Sequence, residues 1–118
     1  MPIPPEIERL INEINLELDE IEGLATEGLA IANRFLVLFE NNPIFLQVSY
    51  FFNSVLFYVD KTRRDIQNTR EQLSEDISPL VASAIIYEVG EYLSTLKGEV
   101  LETKSRTLAY RNRLENLQ

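Results

Sequence analysis

Phe45, Val48, Phe52, Val55, Val59, Thr62, Ile66, Thr69 and Leu73 follow one another at steps that alternate strictly between three and four residues. A half-buried strand would hide every second residue, so this spacing admits one local solution. The segment is a helix whose buried side is a narrow seam, the pattern that supports coiled-coil-like packing. A second seam obeys the same alternation: Ile86, Val89, Leu93, Leu96, Val100, Thr103, Thr107, Tyr110, Leu114 and Leu117. A third stripe runs through Ile7, Leu10, Ile11, Ile14, Leu18, Ile21, Leu24, Ala25, Ile31, Ala32, Phe35, Leu38 and Phe39.

Proline marks where each helix begins. Pro4-Pro5 opens the first, and Glu6 and Glu8 suit the positive end of its dipole. Asn42 caps the second with Pro43 in its first turn, and Ser78 caps the third ahead of Pro79. The predicted helices cover about 5–41, 43–74 and 78–117, with Ser74-Glu75-Asp76-Ile77 as the second turn. Gly23 and Gly28 are the weak points of the first helix, since each costs about 1 kcal/mol against Ala, and any kink or break in it would fall there. These two and Gly90 and Gly98, with Ala25 and Ala32, are also candidates for close helix approach. Short connections make neighbours antiparallel. The expected fold is all-α, an up-down-up bundle of three long antiparallel helices forming one domain of 118 residues, completed by oligomerisation.

The chain has no histidine and no cysteine. It therefore lacks the commonest general base near neutral pH, the commonest transition-metal ligand and any thiolate chemistry. Its 19 carboxylates cannot complete the Glu-x-x-His pattern of helical di-iron sites. Glu88/Glu91 and Glu99/Glu102 read as solvated helix faces. The glycines are isolated rather than grouped in a phosphate-binding loop, and no serine has an evident base. The expectation is a protein that is not an enzyme and uses no cofactor.

The formal charge of −8 is concentrated at the start: residues 1–41 hold nine acids and two bases, whereas residues 78–118 hold five of each. An acidic surface argues against nucleic acid or anionic membrane as partner. The basic groups Lys61, Arg63, Arg64 and Arg70, and Lys104, Arg106, Arg111 and Arg113, have structural readings. The first three arginines are expected beside Glu13, Glu17, Asp19, Glu20 and Glu22, and the second group near the negative end of a helix dipole. The stretch Ile44–Val59 has 12 apolar residues among 16 and is broken by Gln47, Ser49, Asn53 and Ser54. A membrane span needs about 20, so this is a buried helix. With no signal-peptide pattern at the N-terminus and no cysteine, the expected location is the cytoplasm.

A helical wheel of Ile44–Val59 shows two apolar faces. The wide one (Ile44, Phe45, Val48, Phe51, Phe52, Val55, Leu56, Tyr58, Val59) suffices to meet both other helices. The other is a strip of Leu46, Tyr50 and Phe57. The third helix has a comparable line in Tyr87, Leu101 and Leu108. Aromatic strips of this kind mark interfaces, although they also pack under side chains of their own monomer. Two such lines exceed what three helices bury, so these six residues are the candidate partner interface, in a homo-oligomer that is most simply a dimer, with a further protein partner possible. The alternative is a bundle that binds a lipid or other apolar molecule among Phe35, Phe39, Phe45, Phe51, Phe52 and Tyr110. The threonines of the seams can bond the preceding turn, and the pairs Thr62/Thr69 and Thr103/Thr107 are expected toward opposite ends.

Overall fold

A computed structural model describes residues 3–74 and 78–118. Three helices account for nearly all of them: α1 (Pro5–Leu38), α2 (Pro43–Leu73) and α3 (Pro79–Asn116). Each starts on proline, whose missing N–H costs nothing in a first turn. Asn42 caps α2 as expected, its Oδ1 accepting from the backbone N–H of Ile44 at 3.0 Å and of Phe45 at 3.3 Å. Ser78 holds the cap position of α3, but its hydroxyl makes no capping bond. Asn42→Ala should therefore cost about 1 kcal/mol in urea unfolding, and Ser78→Ala much less.

α1 runs unbroken through Gly23 and Gly28, as the single first helix predicted over these positions requires. Its tertiary contacts keep it helical where propensity is weak. It also ends three residues earlier than its stripe suggested. The chain must reverse into α2, and Asn41 does this with φ 60°, a left-handed conformation that Asn tolerates better than most residues. Asn42 N–H then bonds Phe39 carbonyl at 3.2 Å. Of the predicted second turn, Ser74 caps α2; Glu75, Asp76 and Ile77 lie outside the described residues.

The bundle is a rod of 61 × 19 × 16 Å. α1 is its spine, packing along both α2 and α3, which touch each other far less. Side-chain size explains the inequality. On the α1–α2 side Gly28 lies against the ring of Phe52, while Ala25 and Ala32 are fully buried. Between α2 and α3 the bulk of Phe51 and Tyr110, ring centroids 4.3 Å apart, keeps the axes separated. Of the other glycines, Gly90 meets Ile7 in ordinary contact, and Gly23 and Gly28 differ sharply: nothing lies near Gly23, nor near Gly98. Close approach is thus the role of Gly28 and not of all four.

The seams of α2 and α3 are the buried sides of those helices from Phe52 to Leu73 and from Val89 to Leu114. At the end of the rod formed by the α1–α2 turn and the C-terminus of α3, the pattern overreaches. Leu38, Phe39, Ile44 and Leu117 fall on core faces by spacing, yet all are exposed, because the opposing helices stop there. The register set by Gly28–Phe52 and by the α1–α3 ion pairs puts Thr62 and Thr103 at one level near Leu18, with Thr69 and Thr107 displaced from it toward opposite ends. Thr69, Thr103 and Thr107 each donate to the carbonyl four residues earlier, at 2.8 to 2.9 Å.

Candidate interaction surfaces

Besides Leu16, Leu80, Val81 and Tyr92, which are exposed elsewhere, apolar side chains are left on the outside in three groups. On α2, Tyr50 is 70% and Phe57 67% exposed, on the side of the helix opposite its buried seam; Leu46 is half-buried. On α3, Tyr87, Leu101 and Leu108 are exposed. This second line belongs to the α1–α3 side of the rod. Tyr87 borders a cleft with Pro4, Ile7 and Leu10, and Leu108 borders a groove with Gly23 and Leu24. The two lines face different directions, so a single two-fold contact cannot cover both.

The third group was not anticipated. Val37, Leu38, Ile44 and Leu117 together leave an apolar end on the rod. Beside it lies a cleft of about 450 Å³ lined by Ile44, Phe45, Val48, Tyr110, Arg113 and Leu117 among others. The aromatic residues of this end do not enclose a chamber. Phe35 stacks on Phe45 at 4.8 Å between centroids, Phe39 on Phe45 at 6.1 Å, and Phe51 meets both Phe52 and Tyr110. Phe35, Phe45, Phe51, Phe52 and Tyr110 fill the space between the helices, with Phe39 exposed at their edge, and the cleft opens to one side of them.

Charges divide into paired and unpaired sets. Arg63 clamps Asp19 and Glu22 at 2.6 Å each, and Arg70 meets Glu8, as the antiparallel α1–α2 pairing requires. Arg64, expected beside the same acids, joins none of them and has no ion pair among the described residues. Glu13, Glu17 and Glu20 instead turn to α3. Lys97 bonds Glu13 at 2.7 Å, Lys104 reaches Glu17 at 2.8 Å and Glu20 at 2.6 Å, and Arg111 lies 3.4 Å from Glu27. The basic residues of α3 thus divide between this ladder and Arg106 and Arg113, which have no ion pair among the described residues. Arg113 lies over the Tyr110 ring at 5.4 Å. The ladder was visible in principle, since Glu13, Glu20 and Glu27 are spaced by seven, as are Lys97, Lys104 and Arg111.

The hydrogen bond from Lys97 holds the Glu13 carboxyl below its ordinary range, outweighing the opposing effect of burial, with the charges of Lys97 and Arg9 adding to it. Bonds to Glu17, then Glu20, push the Lys104 ammonium up. The Glu13 contribution to stability is complete above its unfolded value near pH ~4.3 and is lost as pH falls through the lower folded value. The Lys104 contribution is complete below about pH 10.4 and lost as pH rises through the raised value. Both contributions are therefore complete across neutral pH. In an NMR titration, Lys97→Gln should return Glu13 toward the ordinary carboxylate range.

Among the described residues no group of three or more carboxylates comes together to hold a metal ion. Among the same residues no helix is long and apolar enough to cross a membrane. Compared with protein-family models, curated proteins and solved structures, the chain matches none of them.

Proposed function

We propose that this chain is a non-enzymatic structural or regulatory interaction module of the cytoplasm, which self-associates as a dimer through the Leu46/Tyr50/Phe57 line of α2. The carrying observation is that Tyr50 and Phe57, two of the largest apolar side chains, stand about two-thirds exposed on the same line of a helix that already buries its own seam. Covering such side chains contributes about 1.5–3 kcal/mol each before the costs of association. The Tyr87/Leu101/Leu108 line, facing elsewhere, is left for a protein partner. In sedimentation equilibrium the protein should be dimeric at micromolar concentration. Tyr50→Glu with Phe57→Glu should make it monomeric with unchanged helical circular dichroism, since neither side chain belongs to the core. An unmodified protein that sediments as a monomer at every concentration would sink the proposal.

A second reading rests on the end cleft. Its volume lies within the usual ~300–1,000 Å³ of small-molecule sites, its walls are apolar, and Arg113 at its rim suits a carboxylate head group. A fluorescent fatty acid should then bind saturably, and Ile44→Asp should abolish binding. Absence of saturation in the unmodified protein removes this reading.

A further inference from the structure

Tyr50, Phe57 and Arg64 occupy one outward line of α2 at seven-residue spacing, with Phe57 midway between the other two. The environment of Arg64 is unusual for this helix. Lys61, Arg63 and Arg70 each hold a carboxylate of the same chain, whereas Arg64 is exposed and has no ion pair or hydrogen bond among the described residues. A free guanidinium and a free aromatic ring therefore stand at equal distances, about 10 Å along the helix, on either side of an exposed phenylalanine.

We propose that the occupant of this surface is a second copy of the chain, its α2 antiparallel to the first, with the two-fold axis passing beside Phe57. The inference rests on the self-association proposed above and adds its geometry. A two-fold contact brings one patch against itself. Around an axis at Phe57, the residue seven after it in one protomer meets the residue seven before it in the partner. Phe57 then packs on its own equivalent, and each Arg64 lies over the other protomer's Tyr50, where the ring face attracts the cation. The aliphatic stem of Arg64 also covers Leu46, one turn beyond Tyr50.

The parallel alternative pairs each residue with itself. It would set Arg64 against Arg64, a repulsion that Asp60, one turn away on the same face, offsets only in part, whereas the antiparallel arrangement lays each guanidinium on a ring and separates the two by about 20 Å along the axis. Charge complementarity thus selects one of the two ways in which the same apolar line can meet itself.

The chain contains no cysteine, so introduced thiols report only on this contact. With a short bismaleimide, at concentrations where the unmodified protein is dimeric, Phe57→Cys should cross-link to itself. Tyr50→Cys and Arg64→Cys should cross-link to each other on mixing, and neither should cross-link alone. Arg64→Ala, which removes two symmetric cation–ring contacts, should weaken the dimer about five- to thirtyfold. Self-linking of Tyr50→Cys alone and of Arg64→Cys alone would show the parallel arrangement and overturn the proposal. A dimer in which none of these pairs links would overturn it too, while leaving self-association standing. If the unmodified protein is a monomer, both fall.

Discussion

Gly28→Ala is expected to destabilise the native bundle but to stabilise it once Phe52 has been replaced by alanine. Phe52→Ala alone should cost about 3–5 kcal/mol, because it empties a fully buried site that surrounding helices cannot close. In the native background a methyl group on Gly28 would stand within 2.7 Å of Phe52 ring atoms. The ring is enclosed and cannot swing aside, so overpacking of about 1–3 kcal/mol outweighs the roughly 1 kcal/mol gained in helix propensity. With the ring gone, the methyl enters empty space and the propensity gain remains, so the sign reverses. Gly23→Ala is the control. Nothing lies within 4 Å of that position, so it should stabilise by up to ~1 kcal/mol in both backgrounds. Urea midpoints for the four Gly28/Phe52 combinations decide the matter. Equal effects of Gly28→Ala with and without Phe52 would mean that the two residues are not in contact.

That contact also shows what could and could not be read from the chain alone. The α2 seam was legible because burial on a helix repeats at 3.6 residues, and every residue from Phe52 to Leu73 on that seam is buried. The seam does not say where its neighbours stop. Ile44 and Leu117 keep the spacing of core residues, and only the lengths of the other two helices leave them in the open. Nor does it distinguish a glycine that receives a ring from one that faces solvent: Gly23 and Gly28 read alike until Phe52 is placed. The outward residues Tyr50, Phe57, Tyr87, Leu101 and Leu108 were recoverable from the wheel, and all five are exposed. That α2 and α3 display theirs in different directions depends on how the helices are arranged about α1, which no single-helix pattern contains. The same holds for Lys97, Lys104 and Arg111, whose partners on α1 lie more than 80 residues away in sequence.

The α1–α3 ladder gives the other large effect, because in it local register and overall charge predict opposite outcomes. Each Glu→Lys change adds two charges, so Glu13→Lys, Glu20→Lys and Glu27→Lys together take the formal charge from −8 to −2. If self-repulsion of an acidic chain governed stability, this variant would be the more stable one. The register says otherwise. The three new lysines would face Lys97, Lys104 and Arg111, turning three attractions between parallel helices into three repulsions. The melting temperature should fall by on the order of 10 °C. The complementary variant, with Lys97, Lys104 and Arg111 made Glu, should also fall, and combining all six changes should recover part of the loss, because Glu17 and Glu115, further partners of Lys104 and Arg111, stay acidic. At 1 M salt, where the screening length shrinks to about 3 Å, the differences among the four proteins should narrow. A triple Glu→Lys variant that melts higher than the unmodified protein would show that net charge governs, and that the ladder does not hold α3 in register on α1.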